Sequence, residues 1–210
     1  MARRPNIDGR ELLISAALKL FAAEGLEGVS IRAINREAGL GPASVHYHFG
    51  TKEALVDAVL HVHGDQIVEE ITQRARNLVA SQTPVTSRDL VSMLAAPYLD
   101  LMSAHTDTGH DWIKLVSQTM QTDADRVTDR GSQKLTAQAV ARAYPDTTTT
   151  QRHRALRMCF TLLVTQLAQF GDTGRSRGPS SLDLDLLIDF LSGGLDAALA
   201  AKEDSSSGVA

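Results

Sequence analysis

Two histidines, a tyrosine and a lysine fall within one short run of chain, His46, Tyr47, His48 and Lys52. These residue types can ligate a metal, move protons or grip phosphate. Spacing separates the three uses. On a helix, His46 and His48 at i, i+2 point about 160° apart, so one ion would not easily hold both. Asp57, His61 and Asp65 follow at i, i+4, i+8 and share a helix face, which suits a metal or acid–base pair and equally suits a solvated face with a helix-supporting charge pair. The single Cys159 allows no intramolecular disulfide and no cysteine-based zinc site, as in a reducing cytoplasm. There is no G-x-S-x-G, H-E-x-x-H, P-loop, C-x-x-C or dinucleotide fingerprint. Phosphate is the partner that the cluster fits best.

The elements that must carry this cluster are helices. Asp8 and Glu11 form a capping pattern, and Leu12, Leu13, Ala16, Ala17, Leu20 and Phe21 recur at helical spacing until Gly25. Ser30 is an N-cap for a second helix with Ile31, Ile34 and Ala38 inward and Gly39 as its stop. Gly41 and Pro42 then serve as cap and first residue of a third helix running to about Phe49. Val45 and Phe49 form its inner side, so Ala43, Ser44 and Tyr47 point outward and His46 and His48 flank them. Thr51 caps a long fourth helix from Lys52, with Gly64 a candidate kink. A helix, a glycine-containing turn and a short helix with an outer face of short polar, tyrosine and histidine residues is the arrangement that enters a DNA major groove.

Beyond the linker "SQTPVTS" the pattern predicts helices near 87–104, 110–121, 123–144, 149–170 and 181–201, separated by "TDTG", a break near Asp123, "PDTTTT" and "GDTGRSRGPSS". Strand signals are nearly absent, so the fold class is all-α. Leu156, Cys159, Leu163, Leu167 and Phe170 line one of the last two helices, and Leu184, Leu187, Leu191, Leu195 and Leu199 the other. Those stripes form either intramolecular core or, paired with a second copy, a four-helix dimer interface.

The 210 residues are 43% hydrophobic and 22% charged, ordinary for a soluble protein, with no run long enough to span a membrane. Net charge is −4, unevenly placed: seven Lys/Arg face six Asp/Glu through residue 54, and fourteen face nineteen beyond it. Polyanion contact is therefore local to the first segment.

"ELLISAALKLFAAEGLEGVSIRAINREAGLGPASVHYHFGTKEALVDAVL" resembles the N-terminal DNA-binding region of the TetR family of bacterial transcriptional repressors, in the A-A-x-x-L-F-x-x-x-G of the first helix, the A-G turn and the Y-x-H-F-x-x-K-E-x-L ending. The resemblance implies a helix-turn-helix domain over 1–54, joined through a long helix to a helical effector-binding and dimerisation domain over 55–203, with a disordered tail at 204–210. It implies a cytoplasmic, homodimeric regulator, not an enzyme, that binds a palindromic operator and is released by a small molecule, with no cofactor and no metal. Ser30 and Arg32 would lie at DNA, Pro42, Ala43 and Ser44 at bases, and His46, Tyr47, His48 and Lys52 along phosphates. Three residues depart from the family pattern. His46 replaces a tyrosine, Gly41 a serine or threonine cap, and Asn35 a small alanine between the second and third helices, so the Asn35 amide is expected to cap the turn or reach backbone. Candidate effector-pocket residues are Met93, Tyr98, Met102, His105, His110, Trp112, Leu115 and Met120, which could equally be core. The rival readings are a helical small-molecule binding protein without operator binding, and a metal-dependent enzyme using Asp57, His61 and Asp65.

Overall fold

A computed structural model describes residues 8–104, 106–128, 133–170 and 181–200. The expected tail at 204–210, nearly all of the link after Phe170, and His105 lie outside these residues. Among the described residues every regular element is a helix: α1 (Gly9–Gly28), α2 (Ile31–Glu37), α3 (Ser44–Phe49), α4 (Lys52–Ala80), α5 (Ser87–Ala104), α6 (Thr106–Thr122), α7 (Ala124–Thr128), α8 (Gln133–Ala143), α9 (Thr149–Phe170) and α10 (Ser181–Leu199). None of them is long and apolar enough to cross a membrane.

Local chemistry explains the first boundaries. The Asp8 carboxylate accepts from the Arg10 N–H at 3.0 Å and starts α1. The Ser30 hydroxyl accepts from the Ala33 N–H at 3.2 Å and starts α2, and the Thr51 hydroxyl accepts from the Ala54 N–H at 3.1 Å at the head of α4. Gly39 (φ 68°) ends α2 and Gly50 (φ 78°) ends α3, both in the left-handed region where a side chain is strained.

Three expected boundaries are corrected. α3 starts at Ser44, not Pro42. Gly41 to Ser44 form a turn closed by Ser44 N–H to Gly41 carbonyl at 3.0 Å, with Ala43 at φ −92°, ψ −1°, the geometry of a type I turn that favours proline second. The "TDTG" break is instead the first turn of α6, with Asp107 favourably placed at its start. Gly109 is there for space, since a Cβ on it would sit 2.9 Å from the Leu101 carbonyl oxygen. The 123–144 span contains two helices, α7 and α8.

Two compact units divide the chain, and α4 and α5 run through both. The first holds the described residues up to Gln66 together with those of Leu101–Thr128. Here α1 packs against α2, α3 and α6, and Leu13, Phe21, Ile34, Val45, Leu55 and Ile113 are fully buried. The second holds Ile67–Asp100 and the described residues from 133 on. In it α9 packs on α8 and α10, and Asp196 of α10 accepts from the Ser87 hydroxyl at 2.8 Å and the Tyr144 hydroxyl at 2.6 Å.

Candidate nucleic-acid interface

The outer side of α3 is open. Val45 is fully buried and holds the helix to the body, while Tyr47, two residues on, is 84% exposed. Pro42, Ala43 and His46 are exposed too, and Ser44 and His48 are half-buried. Arg32 and Ser30 are exposed beside them at the start of α2. All nine residues expected at DNA thus fall in the first unit, eight of them within or flanking α2 and α3, and Lys52 opening α4. An aromatic residue so exposed is unusual where only packing is at stake.

The flanking histidines are held in specific poses. His46 Nδ1 is 2.9 Å from the Gly50 carbonyl, which ties the ring to the end of its own helix and leaves Nε2 for an outside partner. The His48 ring meets Tyr47 edge-on with centroids 5.0 Å apart, and lies against α1, where a Cβ on Gly9 would come within 3.1 Å of Nε2. Phe49, beyond it, has the Arg10 guanidinium 5.1 Å from its ring centre.

Lys52 differs from expectation. A lysine at a helix start suggests an anionic partner, because it faces the positive end of the helix. Its Nζ instead donates to the Leu26 carbonyl, near the end of α1, and stands 5.8 Å from the centre of the Phe21 ring. The partner is thus a backbone carbonyl of the same chain, 26 residues away, and the ammonium has donors left over for phosphate.

Behind α3, Asn35 is 2% exposed. Its Oδ1 accepts from the Val45 N–H at 3.1 Å and its Nδ2 donates to the Pro42 carbonyl at 2.7 Å, so the amide does reach the backbone of the turn.

α4 is held against the rest of the first unit by groups that sequence reasoning missed. Arg126 of α7 donates from Nε to Asp57 Oδ1 at 2.7 Å and from Nη2 to the Glu53 carbonyl at 2.6 Å. The carboxylates raise the already high Arg126 pKa further, the Asp57 hydrogen bond being the largest cause. No sequence signal joins residues 69 apart. Trp112 Nε1 donates to the Val59 and Leu60 carbonyls at 3.2 Å each, and His63 meets the indole edge-on at 5.8 Å.

These contacts also correct the metal reading. Asp57 is committed to Arg126, while His61 and Asp65 are exposed and stand 4.0 Å apart. Among the described residues no group of three acidic, histidine or cysteine side chains could hold a metal ion.

The described pocket candidates lie on α5 and α6. Met93 and Tyr98 are buried in the second unit, where Tyr98 meets Phe160 at 5.8 Å; Met102, His110, Trp112, Leu115 and Met120 belong to the first. Of these, Trp112, Leu115 and Met120 are buried.

Most of the stripe expected at a dimer interface is buried within a single chain. Cys159, Leu163, Leu167, Leu187, Leu191, Leu195 and Leu199 are buried by their own chain in the unit where α9 meets α10; Leu156, Phe170 and Leu184 are half-buried. The exposed apolar groups are others: Leu186 (68%) and Phe190 (66%) on α10 and Met158 (73%) on α9. The signal was present, since α10 is apolar on more than one face, which exceeds what a single buried side requires.

The fold and the exposed short helix define the class, an all-helical protein with an N-terminal helix-turn-helix. Residues 13–59 match the family model for bacterial regulatory proteins of the tetR family. The chain is 28% identical over 131 residues to the HTH-type transcriptional regulatory protein RaaS of Mycobacterium tuberculosis, covering 61% of this chain and 59% of that one. It is 35% identical over 69 residues to the nicotine-responsive transcriptional repressor HdnoR of Paenarthrobacter nicotinovorans, covering 33% and 36%. A TetR-like transcriptional regulator from Rhodococcus sp. RHA1 superposes with a TM-score of 0.60 at 18% identity over 95% of this chain and all of that one, which shows the shared fold. The N-terminal part of the chain is thus similar in sequence to the DNA-binding region of the TetR family, and the chain shares its fold with a TetR-like regulator. It spans a little over half the length of the first curated relatives it matches.

Proposed function

We propose that this protein is a DNA-binding transcriptional regulator, a repressor that binds a palindromic operator as a homodimer and leaves it when a small molecule binds. The observation that carries the reading is the outward side of α3, with Tyr47 84% exposed while Val45 on the opposite side is fully buried. Ser44 and Arg32 would read base edges, with thymine methyl contact from Pro42 and Ala43, and Tyr47, His46, His48 and the spare donors of Lys52 would meet phosphates. Residues 1–54 would be the DNA-binding domain and 55–203 the effector-binding and dimerisation domain, in a cytoplasmic protein that catalyses no reaction.

The dimer surface in this reading is the exposed side of α10, not the stripe facing α9. Leu186, Phe190, Gly193 and Ala197 fall within an arc of about 60°, and a Cβ on Gly193 would meet nothing within 4 Å. Two-fold pairing of such a face would set the half-sites about one helical turn, or a small multiple, apart.

Release requires a ligand that binds the DNA-free state better, and DNA must weaken that ligand by the same factor. α4, held at Val59, Leu60 and Asp57, would carry the change to α3. The responsiveness of HdnoR to nicotine supports a ligand-responsive reading here.

The test is selection of bound duplexes from a random-sequence pool. A recovered palindrome that outcompetes its scrambled version, with affinity falling steeply as salt rises, is the expected result. A protein that shows no preference for any duplex is not this regulator.

A further inference from the structure

The recognition helix begins without a cap of its own. α3 has six residues, a length of about 9 Å, and a helix so short gains little from its own propagation. Ala43 stands at its N-cap and supplies no side-chain hydrogen bond. Gly41, at the head of the turn, has no side chain to offer. Ser44 N–H is bonded to the Gly41 carbonyl at 3.0 Å and Tyr47 N–H to the Ala43 carbonyl at 2.9 Å. The Val45 N–H, among the first four that a helix leaves without an intrahelical acceptor, finds its partner in another element. That partner is Asn35 Oδ1 of α2, while Asn35 Nδ2 takes the Pro42 carbonyl on the other side of the turn.

The asparagine is itself fixed. It is buried, and its backbone carbonyl accepts from the Leu40 N–H at 2.9 Å as α2 ends. One planar amide with no room to swing therefore spans the turn, holding a donor inside α3 and an acceptor just before it.

We propose that Asn35 is the positioning residue of the recognition helix, a cap supplied across the turn from α2 that sets where α3 starts and at what pitch Ser44 and Tyr47 present to a base pair. The inference rests on the DNA-binding reading above. It also accounts for two departures from the family pattern together: the turn lacks its hydroxyl at Gly41, and the amide at Asn35 does that work from the neighbouring helix. Asn35 touches no base. Its effect on DNA passes through the first turn of α3.

Asn35→Ala separates this role from ordinary support. Alanine is the better helix former, so α2 itself loses nothing, but Val45 N–H and the Pro42 carbonyl lose their partners. Binding to the duplex recovered by selection is expected to weaken about tenfold, equivalent to about 1.4 kcal/mol. Binding to a scrambled duplex, which depends on phosphates, should change less than twofold. Adding Gly41→Ser in the same chain restores a local hydroxyl cap; a Cβ there meets only Ser44 Oγ at 3.9 Å, so there is room. The double variant is expected to recover at least threefold of the lost affinity. Amide exchange at Val45, measured without DNA, should speed up in the single variant and stay fast in the double, because a hydroxyl at position 41 reaches only as far as the Ser44 N–H.

Circular dichroism at the assay temperature selects conditions in which all three proteins are folded. If wild type prefers its duplex while Asn35→Ala binds as tightly, or loses specific and scrambled binding in parallel with no recovery from Gly41→Ser, Asn35 is not the positioning residue and the regulator reading stands. If wild type prefers no duplex, both fall. Should Asn35→Ala fail to fold, Asn35→Ser decides by the same comparison, its shorter hydroxyl being expected to give intermediate specificity; wild-type specificity from it would overturn the proposal.

Discussion

Single side chains on α3 carry different burdens, and two substitutions separate them. Tyr47 is the most exposed large side chain among those described on the outer side of α3, so Tyr47→Phe leaves packing untouched and removes one hydroxyl. Operator affinity should fall about twofold to twelvefold, the worth of one hydrogen bond of about 0.5–1.5 kcal/mol, with no change in melting temperature. Lys52→Ala should lower both, because its ammonium also holds the Leu26 carbonyl and lies over Phe21. Thermal melting beside a salt titration of operator binding distinguishes the two: a melting temperature equal to wild type would show that the Leu26 contact contributes nothing. Cys159 behaves differently again. Burial pushes its thiol up to about 12, so at pH 8 it is neutral and slow to alkylate. The sign follows from the raised value: the stabilising contribution is complete below the pKa of the unfolded thiol and is lost as pH rises through the folded one. Iodoacetamide labelling at pH 8 should therefore track unfolding by urea, and rapid labelling of the native protein would contradict the burial.

At the scale of elements, α4 is the part on which the proposed release from DNA would turn. Its first half is tied by Arg126 to Asp57 and Glu53 and by Trp112 to Val59 and Leu60, all within one unit. The Arg126–Asp57 pair is half-exposed on the carboxylate side, so solvent screening limits its contribution to about 1 kcal/mol or less. Arg126→Ala should thus cost little in melting temperature yet quicken amide exchange over the first turns of α4. Equal exchange in both proteins would remove α7 from any account of how that helix is held. Trp112, the single tryptophan, reports on the same contact through its own fluorescence. α1 and α2 are joined more superficially, by Lys19 and Glu37 at 2.5 Å, where the hydrogen bond to Glu37 raises the Lys19 pKa and its counterpart lowers that of Glu37. Both groups are solvent-exposed, so the pair orders the surface more than it stabilises it.

For the whole molecule, the decisive distinction is which face of α10 meets its own chain. Leu167 and Leu191 are buried within the second unit, whereas Leu186 and Phe190 stand in the open. Phe190→Glu should therefore leave a folded chain that sediments as a monomer and loses most of its operator affinity, since a palindrome rewards two joined half-site contacts. Leu167→Glu should instead unfold the second unit, because an unpaired charge would enter a packed interior. Sedimentation velocity and circular dichroism on the two variants separate these outcomes; a Phe190→Glu protein that stays dimeric would place the interface elsewhere.

The all-helical class, the caps at Asp8, Ser30 and Thr51, the glycine stop at Gly39 and the outward side of α3 were all legible in the amino-acid order, whereas α1 runs past Gly25 to Gly28. Each depends on neighbours within a few residues, where hydrogen-bond geometry and helical periodicity act directly. The reach of the Asn35 amide was legible too, since a buried amide must find partners somewhere. Folding in three dimensions decided the rest. That Lys52 meets Leu26, that Arg126 meets Asp57, and that one leucine stripe of α10 turns inward while Leu186 and Phe190 turn out are matters of long-range packing. A helix apolar on two sides can bury either one, and only the elements brought against it choose which.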